Sequence, residues 1–256
     1  MALNPRIRDW HGRRVWIVGA SSGIGEALAH CLAGQGARVA VSARNAARLL
    51  ALAESADGLL PIPLDVTVPG SLERSCEQLR ADWGGIDLVV LNAGFYEPVR
   101  AWELTPERTR RTLDVNLLAV YDAVAAVLPT LEASGGGLVL TGSVAGYGGL
   151  PRAATYGPGK AALINLAEIL YMDLAPRGVG VWIVNPGFVR TPLTEQNDFH
   201  MPALIEPGEA AREIVRGLAG GGFEIHFPKR FTCVMKVLRW LPYRLYFPLL
   251  RRVTGP

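Results

Sequence analysis

Short β-branched runs alternate along this chain with stretches of helix length, and no other feature restricts the possible folds as much. Arg14–Val18 reads as a buried strand, a glycine turn follows, and Gly23–Ala33 has the pattern of a helix. Further strands are expected at Arg38–Ser42, Leu59–Leu64, Asp87–Leu91, Gly137–Thr141, Gly180–Val184 and Phe223–His226. Helix-length sequence fills the gaps, as at Ser71–Asp82 and Pro106–Leu131. Thr105 before Pro106 supplies an N-cap and a first helical residue. Strands apolar on both faces and separated by helices build a parallel sheet covered on both sides. The expected class is therefore α/β, with one doubly wound parallel sheet. Half of the residues are apolar, which suffices for a sizeable core. No repeat or Pro/Gly-rich linker divides the chain, so residues 1–227 read as one catalytic-size domain and 228–256 as a C-terminal basic, hydrophobic appendage.

Several classes are disfavoured by what the chain contains. Its three cysteines, Cys31, Cys76 and Cys233, are far apart and odd in number, which fits neither a disulfide framework nor a zinc ribbon. His11, His30, His200 and His226 offer no helical pair of ligands, so no metal is expected. Charges occupy the N-terminal stretch where a signal peptide needs apolar residues, and no uninterrupted apolar run spans a bilayer. A cytoplasmic protein is expected.

The turn after the first strand reads Gly19-Ala20-Ser21-Ser22-Gly23-Ile24-Gly25 and opens directly into a helix. Glycines let the backbone approach a pyrophosphate, and a helix N-terminus offers free N–H groups and the positive end of its dipole. Between the first strand and first helix of an α/β chain, this pattern indicates dinucleotide binding on a Rossmann-type sheet. The second strand ends at Ala43-Arg44, where an acid would bind the ribose 2′-hydroxyl of NAD and arginine suits the 2′-phosphate of NADP. Arg44 thus favours NADP(H) over NAD(H).

Tyr156-Gly157-Pro158-Gly159-Lys160 opens a helical stretch running to about Ala175. Residues four apart share a helix face, so phenol and ammonium can point at one site. An adjacent ammonium favours the phenolate and is expected to lower the tyrosine pKa, as an acid/base for alcohol–carbonyl exchange requires.

Together these motifs make the chain resemble the classical short-chain dehydrogenase/reductase family, over nearly its whole length to about Ile225. The resemblance rests on the glycine turn; on Asp65-Val66, matching the acid that contacts adenine; on Asn92-Ala93-Gly94 at the end of the fourth strand; on Asn116, Ser143, Tyr156 and Lys160; and on Pro186-Gly187, Val189 and Thr191, matching the segment near the nicotinamide carboxamide. It implies that Ser143 and Tyr156 polarise a carbonyl, that Tyr156 donates the proton, that Lys160 holds the nicotinamide ribose, and that Asn116 positions a relay water. It also implies a homodimer or homotetramer packed through Pro106–Leu131 and Tyr156–Ala175. Two positions depart from the family pattern. Val18 stands where threonine is usual, which removes a hydrogen bond to the Asn92 region, and Ser22 is not basic, so the NADP preference rests on Arg44.

The implied reaction interconverts a small-molecule carbonyl and alcohol, with reduction of a hydrophobic ketone or aldehyde favoured; an NADP-binding sensor or scaffold with little turnover is the alternative. Phe95, Tyr147, Phe188 and Leu193 are the candidate substrate contacts, and Thr191–Ile205 occupies the place of a lid. The tail from Pro228 carries seven basic residues and no acid, leaving the rest of the chain with 19 basic against 23 acidic residues. Its aromatic and aliphatic residues alternate with these cations. Two fates stay open for it: packing over the cleft or a neighbouring subunit, and peripheral contact of residues 228–253 with an anionic membrane surface. Nothing resembles a nucleic-acid-binding module.

Overall fold

The computed structural model describes residues 2–199 and 201–254; Met1, His200 of the four histidines and the last two residues of the tail lie outside them. Seven strands form one sheet: β1 (Arg14–Val18), β2 (Arg38–Ser42), β3 (Leu59–Pro61), β4 (Leu88–Leu91), β5 (Gly137–Thr141), β6 (Gly180–Pro186) and β7 (Glu224–Phe227). Their order is β3-β2-β1-β4-β5-β6-β7, and each neighbouring pair is parallel. The direction of winding reverses between β1 and β4, which opens a crevice at the carboxyl ends of those strands. β3 is shorter than its sequence suggests, although Ile62 and Leu64 N–H still donate to the Val41 and Ala43 carbonyls at 2.9 and 3.1 Å. Pro61 and Pro63 alternate with them and are tolerated because β3 is an edge strand.

The helices are α1 (Gly23–Ala33), α2 (Ala46–Glu54), α3 (Ser71–Trp83), α4 (Pro106–Leu113), α5 (Ala119–Ser134), α6 (Tyr156–Leu174), α7 (Pro207–Gly220), α8 (Lys229–Arg239) and α9 (Tyr243–Thr254). Leu28, Leu49, Ile214 and Leu218 from α1, α2 and α7 pack on one face of the sheet. Leu72, Leu79, Val127, Leu163 and Ala167 from α3, α5 and α6 pack on the other. The strands between them, Val15–Val18 and Val39–Val41 among them, are almost fully buried. Trp16 keeps its polar atom satisfied inside this core by donating to the Ser42 hydroxyl at 2.9 Å.

The long helix expected over Pro106–Leu131 is interrupted. Thr105 caps it as expected, accepting from the Arg108 N–H, but a π turn spans Asp114–Leu118 and separates α4 from α5. Asn116 lies in that turn, and such wide turns commonly re-aim a side chain at a functional site. By composition the stretch Pro106–Ser134 is long and apolar enough to cross a membrane despite its charged interruptions, with a mean hydropathy of 1.4 in its most apolar window. Val120, Ala123, Val127 and Leu131 nevertheless pack it into the core.

The carboxylate of Glu224 ties α8 back to the sheet. Glu224 of β7 accepts from Asn185 Nδ2 at 2.8 Å, from the Tyr147 hydroxyl and from the Lys236 ammonium of α8. Burial pushes its pKa up, but hydrogen bonds from Lys236, Tyr147 and Asn185, with the lysine's charge, outweigh this and hold it below the ordinary carboxylate range. A depressed pKa means that the stabilisation is full at neutral pH and is lost as pH falls through the native value. Glu224→Gln is expected to cost about 2 kcal/mol at neutral pH, read from urea unfolding, with the gap to wild type closing on acidification.

Candidate active site

The glycine turn and the end of β4 meet backbone to backbone. Gly19 has φ +95°, and a Cβ there would lie 2.4 Å from the Ala93 nitrogen. A Cβ on Gly25 would lie 2.1 Å from the Gly19 carbonyl oxygen. Asn92 locks the junction, with Nδ2 donating to Gly19 O at 2.8 Å and Oδ1 accepting from Thr141 Oγ1 at 3.4 Å. Val18 has no side-chain donor or acceptor for this junction, but its carbonyl accepts from Asn92 N at 2.8 Å. Ser22 precedes α1 with extended backbone and makes no side-chain cap, so the helix N-terminus faces the cleft through backbone N–H groups.

From this turn a cleft of about 1250 Å³ runs along the carboxyl ends of the strands to the tail. Its wall includes Gly19, Ser21, Ser22, Gly23, Ile24, Arg44, Asp65 and Val66 on the β1 side of the switch point and Asn92, Ala93 and Gly94 on the β4 side. Pro186, Gly187, Val189 and Thr191 border it after β6, and the Thr191 methyl closes down on Gly23. Gly25 and Asn116 lie behind this wall. Arg44 is exposed and makes no hydrogen bond or ion pair among the described residues. No acid shares its strand tip: Asn45 is used to cap α2, accepting from Arg48 N at 3.1 Å. Asp65 is held by the Thr67 N–H and hydroxyl at 2.9 and 2.7 Å.

Ser143, Tyr156 and Lys160 line the same cleft. Ser143 follows β5 and caps a single 3-10 turn by accepting from Ala145 N at 3.1 Å. Tyr156 is the first residue of α6, and Lys160 lies one turn on. Lys160 is buried, donates to the Thr141 carbonyl at 2.8 Å and has its Nζ 5.5 Å from the Tyr156 ring centre. Asn116 clamps the loop after β4, accepting from Phe95 N at 2.9 Å and donating to Phe95 O at 2.6 Å. Its amide therefore acts on the loop backbone, and among the described residues no hydrogen bond joins it to Tyr156.

The expected direction of the tyrosine shift is reversed. Burial is the largest influence on Tyr156 and pushes its pKa up to about 12; the Ser143 hydrogen bond lowers it in part, and Tyr96 raises it. Burial likewise pushes Lys160 down to about 8. Removal from water penalises both charged forms more than their proximity rewards them. The phenol consequently keeps its proton through the neutral range.

The four substrate candidates part company. Phe188 and Leu193 line the cleft. Phe95 instead lies under the Arg111 guanidinium, 4.3 Å from ring centre to carbon. Tyr147 turns towards Glu224, with Lys236 5.6 Å from its ring centre. The sequence reading missed Tyr96, whose ring meets Tyr156 edge-on at 5.1 Å, and the tail residues Phe231, Met235, Leu238 and Leu250, which supply the cleft's apolar wall. Phe231, Met235 and Leu238 recur at helical spacing, a stripe visible in the sequence; Tyr96, in a loop, carries no such signal. The segment Thr191–Ile205 is pinned at its ends by a bridge between Val189 and Ile205 and joined to the loop after Ser143 by the Arg152–Asp198 ion pair. Of the two fates open to the tail, the structure adopts packing over the cleft: Tyr246 is buried and donates to the Gly149 carbonyl at 2.8 Å.

Residues 13–201 match the family model of the short chain dehydrogenases. The chain is 37% identical over 246 residues to a Myxococcus xanthus protein named as an uncharacterized oxidoreductase, covering 94% of this chain and 97% of that one. It is 34% identical over 224 residues to the 3-oxoacyl-[acyl-carrier-protein] reductase of Escherichia coli, covering 85% and 88%. Its fold matches that of a short chain dehydrogenase from Burkholderia cenocepacia solved in complex with NADP, at a TM-score of 0.82 and 24% identity over 97% of this chain and all of that one. With its parallel sheet, glycine turn and Ser143, Tyr156 and Lys160 on one cleft, the chain belongs to the short-chain dehydrogenase/reductase family of oxidoreductases.

Proposed function

We propose that this protein is an NADP(H)-dependent reductase of hydrophobic ketones or aldehydes, with Tyr156 as its proton donor. The observation that carries this reading is one cleft with a glycine cradle at one end, an apolar wall at the other, and Ser143, Tyr156 and Lys160 between them. The cradle suits a pyrophosphate, because Gly19 and Gly23 line the cleft and the N–H groups opening α1 carry no side-chain cap. The cofactor would be held by the N–H groups opening α1, by Asp65-Val66 at the adenine end, by Asn92–Gly94, and by Lys160, Pro186–Val189 and Thr191 at the nicotinamide end. Bound nicotinamide supplies the hydride for the carbonyl carbon.

The protein's own residues do the rest. The Ser143 and Tyr156 hydroxyls donate to the carbonyl oxygen and polarise it. Tyr156 then gives its proton to that oxygen as negative charge develops there. Lys160, fixed on the Thr141 carbonyl, keeps a positive charge or a donor beside the phenol. Asn116 acts one step back, by fixing the backbone of Phe95 at the edge of the cleft. The raised pKa of Tyr156 keeps the phenol protonated at neutral pH and so ready to donate, while the net direction follows the cofactor ratio. Phe188, Leu193, Phe231, Met235 and Leu250 suit an apolar substrate. The exposed Leu118 just before α5, Tyr121 on α5, and Ile169 and Met172 on α6 support a homodimer or homotetramer formed through those helices. Three unpaired cysteines support a cytoplasmic placement.

Tyr156→Phe is expected to lower turnover about 1,000-fold while NADPH still binds, followed by NADPH absorbance against aldehydes, ring ketones and acyl-thioester ketones. Near-normal turnover in that variant would remove the tyrosine from its role, and no turnover by wild type on any compound, with NADPH bound, would favour a sensor. Arg44→Asp should lower the NADPH-to-NADH affinity ratio by about 100-fold; an unchanged ratio would take the preference away from Arg44. Tyr121→Glu with Met172→Glu should reduce the mass measured by light scattering to that of one chain.

A further inference from the structure

The tail has two faces, and only one is accounted for by the cleft. Phe231, Met235 and Leu238 of α8 and Leu250 of α9 turn inward to the cleft wall. The other face exposes Val237 at 66%, Trp240 at 89%, Tyr243 at 64% and Leu245 at 58%. A tryptophan so exposed gains nothing from its own fold, and large apolar side chains exposed together within nine residues mark a docking surface. Around it stand Lys229, Arg230, Arg239, Arg244, Arg251 and Arg252, all exposed. Among the described residues none of the six makes an ion pair, and residues 228–256 contain no acid. The seventh cation of the tail, Lys236, is spent on Glu224.

Aromatic rings surrounded by unopposed cations match one chemistry, the headgroup region of an anionic lipid surface. A second copy of the chain is the competing occupant and fits poorly. In a two-fold contact a patch meets itself, so six cations would face six more with no acid between them. The uncharged Leu118, Tyr121, Ile169 and Met172 surface offers a better self-contact. Val234 and Leu249 link the two faces, because both line the cleft and both remain exposed, at 53% and 42%. They mark the rim of the cleft on the tail side.

We propose that the outer face of α8 and α9 docks on an anionic bilayer, with the rim at Val234 and Leu249 turned to the lipid, so that the substrate is an apolar carbonyl compound dissolved in the membrane. The substrate half of this proposal rests on the reductase reading above, whereas docking does not depend on turnover. The docked protein lies in the interface plane, and neither helix spans it.

The test is co-sedimentation of the full chain with vesicles of phosphatidylglycerol and phosphatidylcholine, against vesicles of phosphatidylcholine alone. Binding to the anionic vesicles, released by added salt, is expected. Val237→Ser with Trp240→Ser should weaken it by about tenfold or more, and Arg244→Glu with Arg251→Glu should remove the preference for phosphatidylglycerol. Neither pair lines the cleft, so NADPH binding and turnover of a short, water-soluble carbonyl should be unchanged in both, which also reports that the variants fold. Absence of wild-type binding, or equal binding by the variants, would overturn docking. A smaller solution mass for the Trp240 variant would also overturn it, in favour of a self-contact. For a long-chain ketone presented in the anionic vesicles, the Trp240 variant should raise KM and leave kcat unchanged; an unchanged KM would overturn membrane delivery while leaving the reductase reading intact.

Discussion

Two backbone segments meet at the centre of this molecule with no side chain between them, and the site is arranged around that contact. The turn after β1 needs Gly19 at φ +95° to reach the end of β4, and Asn92 then bonds the Gly19 carbonyl. Because β1 and β4 are neighbours only through the reversal in strand order, this contact closes the sheet at its switch point. It also aims the start of α1 at the crevice. On the far side, Asn92 accepts from Thr141, and the carbonyl of Thr141 holds Lys160. The glycine turn and the Tyr156–Lys160 pair are therefore joined through two residues, and a shift in one would be felt in the other.

The chemistry depends on how dry that junction is. Burial lifts Tyr156 and depresses Lys160, so in the protein alone the pair rests as a protonated phenol beside a weakly held ammonium. A tyrosine and lysine four apart on an exposed helix would show neither shift. What distinguishes this pair is its position at the start of α6, beneath Tyr96 and against the end of β5. Hydrogen bonds then act selectively, the Ser143 contact pulling the phenol back towards ionisation.

Much of this was legible in the sequence, for a definable reason. Strand, turn and helix are local patterns, and the motifs Gly19–Gly25, Asn92–Gly94 and Tyr156–Lys160 lie at element ends where the fold leaves them little choice of position. β1, α1, β2 and β5 keep the boundaries read from residue types alone. What escaped the sequence depended on tertiary packing. The break at Asp114–Leu118 is set by Asn116 reaching a loop more than twenty residues away. Tyr147, apolar enough to suggest a substrate wall, is drawn off by a carboxylate from β7. The direction of the Tyr156 shift depends on burial, which spacing does not encode.

The tail gives the protein a property that its sheet lacks. Phe231, Met235, Leu238 and Leu250 shape the substrate end of the cleft, yet none belongs to a strand, to the cofactor cradle or to the catalytic group. Met235 and Leu250 are buried, so exchanges of similar volume among the four can reshape the cleft without touching the sheet or the glycine turn. The fastidious parts of the enzyme and its adjustable parts thus occupy different stretches of one chain, an arrangement that lets selectivity drift while the reaction stays the same.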